Sequence, residues 1–61
     1  MICKLKKTDE NNLLGYDTIK LLRIEDDEYI CIVDKTQLMI IMKEDFWIAV
    51  AEQKAYEIDE S

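Results

Sequence analysis

Lys4, Lys6 and Lys7 are the residues of this chain best suited by type and spacing to hold a ligand, placing three of its eight basic side chains in the first seven positions. In an extended segment Lys4 and Lys6 share one face and Lys7 takes the other. Two lysines on one face neutralise two phosphates, which suits a short nucleic-acid loop. The same pattern also suits a charged edge strand, where lysine discourages strand-to-strand aggregation, and the residues alone favour that blander reading. The opposite charge gathers at Glu25-Asp26-Asp27-Glu28. That run lacks the ligand spacing and glycine of a calcium loop and reads as a solvated turn. Phe46 and Trp47 could stack on bases, but at the start of an amphipathic helix such residues more often serve as core or dimer contacts.

Other chemistries are poorly provided for. The chain has no histidine and its only serine is Ser61, so neither imidazole acid–base chemistry nor a serine nucleophile is expected. There is no glycine-rich phosphate loop, since Gly15 is the only glycine. Cys3 and Cys31 have no CxxC spacing and cannot alone complete a four-ligand zinc site. Both sit among strand-type residues, where a free thiol behaves as a small hydrophobe. No catalytic residue, metal or cofactor is therefore expected, and the chain reads as a binder rather than an enzyme. No apolar run approaches the ~20 residues a membrane-spanning helix needs, and with Met1 followed at once by Ile2, Cys3 and Lys4 no secretory signal is expected. The expected setting is the reducing cytoplasm. A net charge of −6 argues against gripping nucleic acid with the whole surface, although charges more than a screening length of ~8 Å apart scarcely feel one another, so a local basic edge survives the acidic average.

The elements that must position these residues can be read from the breaks between them. Sixty-one residues make one domain, residues 1–61, near the lower limit for folding alone. Ile2 to Lys7 suits a strand with one wet face, and Thr8 to Asn12 form a polar break. Leu13-Leu14 make a very short strand ending at Gly15. Thr18 to Ile24 follow as a third strand, and the acidic run reverses the chain. Tyr29 to Val33, a solid β-branched and aromatic run, reads as a strand buried on both faces. Leu38 to Met42 form the fifth strand. Beyond it the period changes: Asp45 is a candidate N-cap, and Trp47, Val50, Ala51, Lys54 and Ile58 fall at helical spacing. Phe46 to Val50 could alternatively pass as a sixth strand. The expected fold is thus mainly β, five short strands plus one C-terminal α-helix. Since 49% of residues are apolar in so small a chain, some of that surface is expected to belong to a partner subunit.

In its order and spacing this layout resembles the carbon storage regulator (CsrA) family of bacterial RNA-binding translational regulators, over roughly residues 1–57. The resemblance rests on the apolar residue after Met1, the Lys6-Lys7 pair, Glu10 in the first turn, Leu13-Leu14-Gly15, and Lys43-Glu44-Asp45-Phe46-Trp47 at the step into the helix. It implies an interleaved homodimer in which strands one and five of each chain lie beside those of the partner. It also implies binding of GGA-containing mRNA leader hairpins at two symmetric sites, carried onto Lys4, Leu5, Lys6 and Lys7 with Met42, Lys43 and Glu44. Core or dimer contacts would fall to Ile30, Ile32, Leu38, Ile40, Phe46 and Trp47. The chain departs from the family where Lys43 replaces its arginine, losing the planar fork that reads guanine edges. It departs again where Met42 replaces a frequent histidine and Lys35-Thr36 an Ala-Pro. These changes, with the acidic balance, raise an alternative expectation: a diverged acidic protein-interaction module, of bacterial or phage type, that antagonises or heterodimerises with a regulator and does not itself bind RNA.

Overall fold

A computed structural model describes residues 3–59. Its strands are β1 (Cys3–Lys7), β2 (Thr18–Glu25), β3 (Glu28–Val33), β4 (Gln37–Met42) and β5 (Tyr56–Ile58), all in one antiparallel sheet of order β4-β3-β2-β1-β5. Between β4 and β5 the chain forms a short helix, α1 (Lys43–Trp47), that continues as a π-helical turn over Ile48–Glu52. The fold is mainly β with five strands and one short helical segment, as expected, but its membership differs from expectation at three places.

Leu13-Leu14 is not a strand. The backbone donors that a ladder would need are taken by side chains: Asn12 Oδ1 accepts the N–H groups of Leu14 (3.0 Å) and Gly15 (2.7 Å), and Gln53 Oε1 accepts that of Leu13 (2.9 Å). Such short polar side chains compete directly with regular structure. Gly15 sits at φ +77°, a conformation that suits glycine here.

The helix ends at Glu52 instead of running to Ile58, and it is not the last element. Lys54 adopts φ +51°, which stops the helix in the manner of a left-handed cap. Ala55 then enters the core and Tyr56–Ile58 pair with β1. The open edge of β1 outcompetes further helix because each residue added there completes a ladder bond. Nor is Asp45 the N-cap: Met42 holds that position with no side-chain cap, and Asp45 lies in the first turn. Phe46 to Val50 is helical, not a sixth strand. Ile2, expected in the first strand, lies outside the described residues.

The third difference concerns Tyr29 to Val33, which is buried on one face only. Tyr29, Cys31 and Val33 point into the core, while Ile30 and Ile32 are half-covered on the other side. The inner face of the sheet contributes Leu5, Ile19, Leu21, Tyr29, Cys31, Val33 and Ile41. The helical segment covers it as the chain crosses from the β4 edge back toward β5, inserting Phe46 and Ala49, and Ala55 and Tyr56 close the far side. Both cysteines are free, Cys3 half-buried and Cys31 fully buried.

Candidate functional site

The outer face of the sheet is where the exposed chemistry collects. Strand register sets its side chains in three rows across β2, β3 and β4. At one end Lys20, Ile32 and Leu38 lie side by side, extended on β1 by Lys4 directly opposite Lys20. In the middle are Arg23, Ile30 and Ile40, beside the β2 irregularity between Leu21 and Arg23. At the far end are Glu25, Glu28 and Met42. The face is therefore apolar along β3 and β4, basic at one end and acidic at the other. Leu38, Ile40 and Met42 are 65%, 55% and 47% exposed.

β4 is an edge strand. The Lys43 N–H turns toward β3 and donates to the Asp27 carbonyl at 2.7 Å. Backbone polar groups alternate along a strand, so those of Leu38, Ile40 and Met42 face the open side. A long, exposed, apolar edge of this kind invites pairing or coverage by another chain.

The basic end forms a shallow concavity of about 370 Å³ lined by Lys4, Lys20, Lys35, Ile32 and Asp59 among others. Ion pairs among the described residues engage Lys6, Lys7 and Arg23 instead: Lys6 with Glu57 at 3.4 Å, Lys7 with Asp17 at 2.7 Å and Glu10 at 3.2 Å, Arg23 with Glu25 at 3.3 Å. The Asp17 contact, and then Glu10, holds the Lys7 ammonium above its ordinary pKa. At the acidic end an open groove is lined by Glu25, Asp26, Asp27, Glu28 and Met42.

The residues expected to form a binding site are placed as follows. Lys4 and Lys6 are exposed on the outer face of β1, Lys7 turns inward against its two carboxylates, and the Leu5 side chain is buried in the core at 4% exposure. Leu5 is therefore a packing residue and offers a ligand only its backbone. Met42 ends β4 and Lys43 and Glu44 begin α1 beside it, three strands from β1, a lateral separation of roughly 14 Å. The chain does not bring the two groups together. Lys43 borders an open depression that it shares with Asp27, Glu44, Asp45 and Glu52, an acidic neighbourhood. Both hydrogen-bonding edges of β1 are occupied by β2 and β5 of the same chain.

Of the expected core or dimer contacts, Phe46 is core. Trp47 is 44% exposed but fixed: its indole N–H donates to the Tyr29 hydroxyl at 2.7 Å, and Tyr29, Phe46 and Trp47 pack with ring centroids 4.9–6.3 Å apart. Ile30, Ile32, Leu38 and Ile40 all lie on the outer face. Lys20 and Lys35, the partners of Lys4 at the basic end, were not singled out by sequence pattern, because only strand register and the turn at Asp34-Lys35-Thr36 bring them beside it. The alternation of Thr18 to Ile24 does carry a signal for Lys20, since it puts that residue on the face opposite Ile19 and Leu21.

No family model, no curated protein and no solved structure matches this chain. The likeness to the carbon storage regulators rests on its sequence motifs alone. Among the described residues no helix is long and apolar enough to cross a membrane.

Proposed function

We propose that this chain is a non-catalytic protein-interaction module whose working surface is the outer face of β2, β3 and β4. The observation that carries this reading is the exposure of Leu38, Ile40 and Met42 on an open edge strand, continuous with the half-covered Ile30 and Ile32. Contiguous apolar surface of this kind marks interaction sites more than it does free surface. The charge pattern supports the same reading. Net charge is −6, Lys7 is held between Asp17 and Glu10, Lys6 makes an exposed ion pair with Glu57, and Lys43 stands in an acidic neighbourhood, which weakens the basic set expected to meet RNA. A cytoplasmic setting goes with it, supported by two unpaired thiols.

The test is a photo-crosslinking amino acid placed at position 40 of the full chain in expressing cells. The expected result is a discrete protein adduct, absent when the crosslinker replaces Glu10 on the distant loop. Absence of any protein adduct at position 40 would remove the reading.

A second reading, a regulator binding GGA-containing mRNA leader loops as a dimer, is favoured by one feature: Lys4, Lys20 and Lys35 converge on the concavity at the basic end. It predicts saturable, salt-sensitive binding of a GGA-loop hairpin over a scrambled-loop control, weakened by Lys20→Ala and Lys43→Ala. No gel shift at tens of micromolar protein would exclude it.

A further inference from the structure

We propose that the concavity at the basic end is a binding site for a small phosphorylated anion, one carrying a phosphate monoester or pyrophosphate group. The site lies beside the apolar surface and stands whether or not that surface docks a protein. It shares Lys4 with the RNA-binding set but takes a different ligand. Two features that each cost stability meet there, and among the described residues nothing offsets either.

The first is a like-charge pair. Lys4 stands directly opposite Lys20 across β1 and β2, and Lys20 is half-buried. Like charges facing each other across strands destabilise a sheet. Elsewhere the chain supplies counter-ions: Lys6, Lys7 and Arg23 each have a carboxylate within 3.4 Å. Among the described residues no such ion pair engages Lys4, Lys20 or Lys35.

The second is the turn between β3 and β4. The Thr36 N–H donates to the Val33 carbonyl at 3.3 Å, closing a turn whose central residues Asp34 and Lys35 have φ +52° and +70°. Two successive positive φ values define the turn class that favours Asn or Asp followed by glycine. Asp34 recovers its cost, because its Oδ1 accepts the N–H groups of Asp17 at 2.7 Å and Thr18 at 3.4 Å. Lys35 occupies the glycine position with no comparable return, and it borders the concavity with Lys4 and Lys20. Strained residues other than glycine cluster at ligand sites.

The concavity, about 370 Å³, sets these three lysines around Ile32 and Asp59. That volume lies at the lower end for small-molecule sites. Three ammonium groups against one carboxylate leave an excess of two positive charges. Such an excess matches the dianion of a phosphate monoester better than the single charge of a phosphodiester. Lysine meets phosphate as a point charge, so no planar fork is needed. Ile32 offers an apolar wall for the organic part of such a ligand.

A two-dimensional amide NMR titration of the full chain with inorganic pyrophosphate at low salt provides the test. Saturable shifts are expected at the amides of Lys4, Lys20 and Lys35. Lys20→Gln should weaken binding about fivefold, and it removes a like-charge pair, so the loss is not one of folding. Lys35→Gly should weaken binding by a similar factor while raising the urea midpoint, because glycine relieves the turn. Asp59→Asn should tighten binding. Lys54→Gln removes the same charge away from the concavity and should change affinity less than about twofold. A single-stranded oligoribonucleotide without terminal phosphates separates the two sources of phosphate. At equal phosphorus concentration it should shift these amides less than pyrophosphate does. If it shifts them more, the ligand is a nucleic-acid strand and the small-anion assignment falls. Shifts that do not saturate, or that Lys20→Gln leaves unchanged, overturn the site itself. Crosslinking from position 40 reports on none of these outcomes, so the docking face and the anion site fail separately.

Discussion

The inner and outer faces of β3 and β4 are built from nearly the same residue types and have opposite fates. On the inner face Tyr29, Cys31, Val33 and Ile41 are buried beneath Phe46 and Ala49. On the outer face Ile30 and Ile32 are half-covered and Leu38, Ile40 and Met42 exposed, and no element among the described residues packs over them. A sheet with one wet face normally alternates apolar with polar residues, and an unbroken apolar strand implies cover on both sides. The difference between the faces therefore lies in the supply of covering chain, not in the strands. Among the described residues, the ten helical residues and the three-residue return strand all serve one face.

The largest expected effect breaks the inner face. Phe46 is 2% exposed and packs against Tyr29 at 4.9 Å. Phe46→Ala should cost about 3–5 kcal/mol, comparable with the whole ~3–5 kcal/mol available to a domain of this size. Urea titration followed by circular dichroism should find the variant largely unfolded without denaturant. Ile40→Ala, made from a residue of similar apolarity on the other face, should stay within about 0.5 kcal/mol of the parent. Equal losses at the two positions would mean that the outer face is already covered.

The two cysteines sharpen the contrast. Cys31 is fully buried and its thiol is pushed up to about 11 by desolvation, whereas Cys3 is half-buried near the start of β1. A reactive thiol must be both ionised and accessible. At pH 8 a maleimide should label Cys3 at least ~10-fold faster than Cys31, with Cys31 catching up only in denaturant. The same shift has a consequence for stability. The unfolded chain loses this proton near its ordinary value of 9.0 while the folded chain retains it to about 11. The folded state thus binds more protons in that window, and stability falls as pH rises through it. Cys31→Ala should flatten the decline, and labelling of both thiols at one rate would contradict the burial on which it depends.

Much of this was legible in the sequence and some was not, for reasons that can be assigned residue by residue. Four of the five strands follow from runs of strand formers between polar breaks. Periodicity could not foresee that Asn12 would capture the Leu14 and Gly15 amides, because that outcome depends on Tyr56 as well. The Tyr56 hydroxyl donates to the Tyr16 carbonyl at 2.7 Å and lies 3.2 Å from Asn12 Oδ1, pinning the loop from forty positions away. The helical period overextends the helix because Trp47, Val50, Ala51 and Ile58 do share it, and nothing local reveals the vacant edge of β1 that claims Tyr56 to Ile58. Lys4 was found by clustering in sequence, while Lys20 and Lys35 join it only through register. The apolar runs at Tyr29 to Val33 and Leu38 to Met42 were visible at once, but their two faces could be told apart only after the helical segment had chosen one.

The smallest expected effect strengthens the covered face without touching the open one. Lys54 holds φ +51° where the chain turns out of the helical segment toward β5. A side chain in that region is disfavoured, and glycine relieves it. The hydrogen bond at this residue is made by its backbone, the Thr8 hydroxyl donating to the Lys54 carbonyl at 3.4 Å, so replacement keeps it. Glycine also adds freedom to the unfolded chain, which offsets part of the relief. Lys54→Gly should therefore gain only about 0.5–1 kcal/mol, read as a higher urea midpoint with an unchanged slope. Because the turn lies on the covered side of the sheet, crosslinking from position 40 in this variant should match the parent. A gain in stability accompanied by altered crosslinking from position 40 would show that the two faces are coupled through the β5 edge, and that the open face depends on how the inner one is closed.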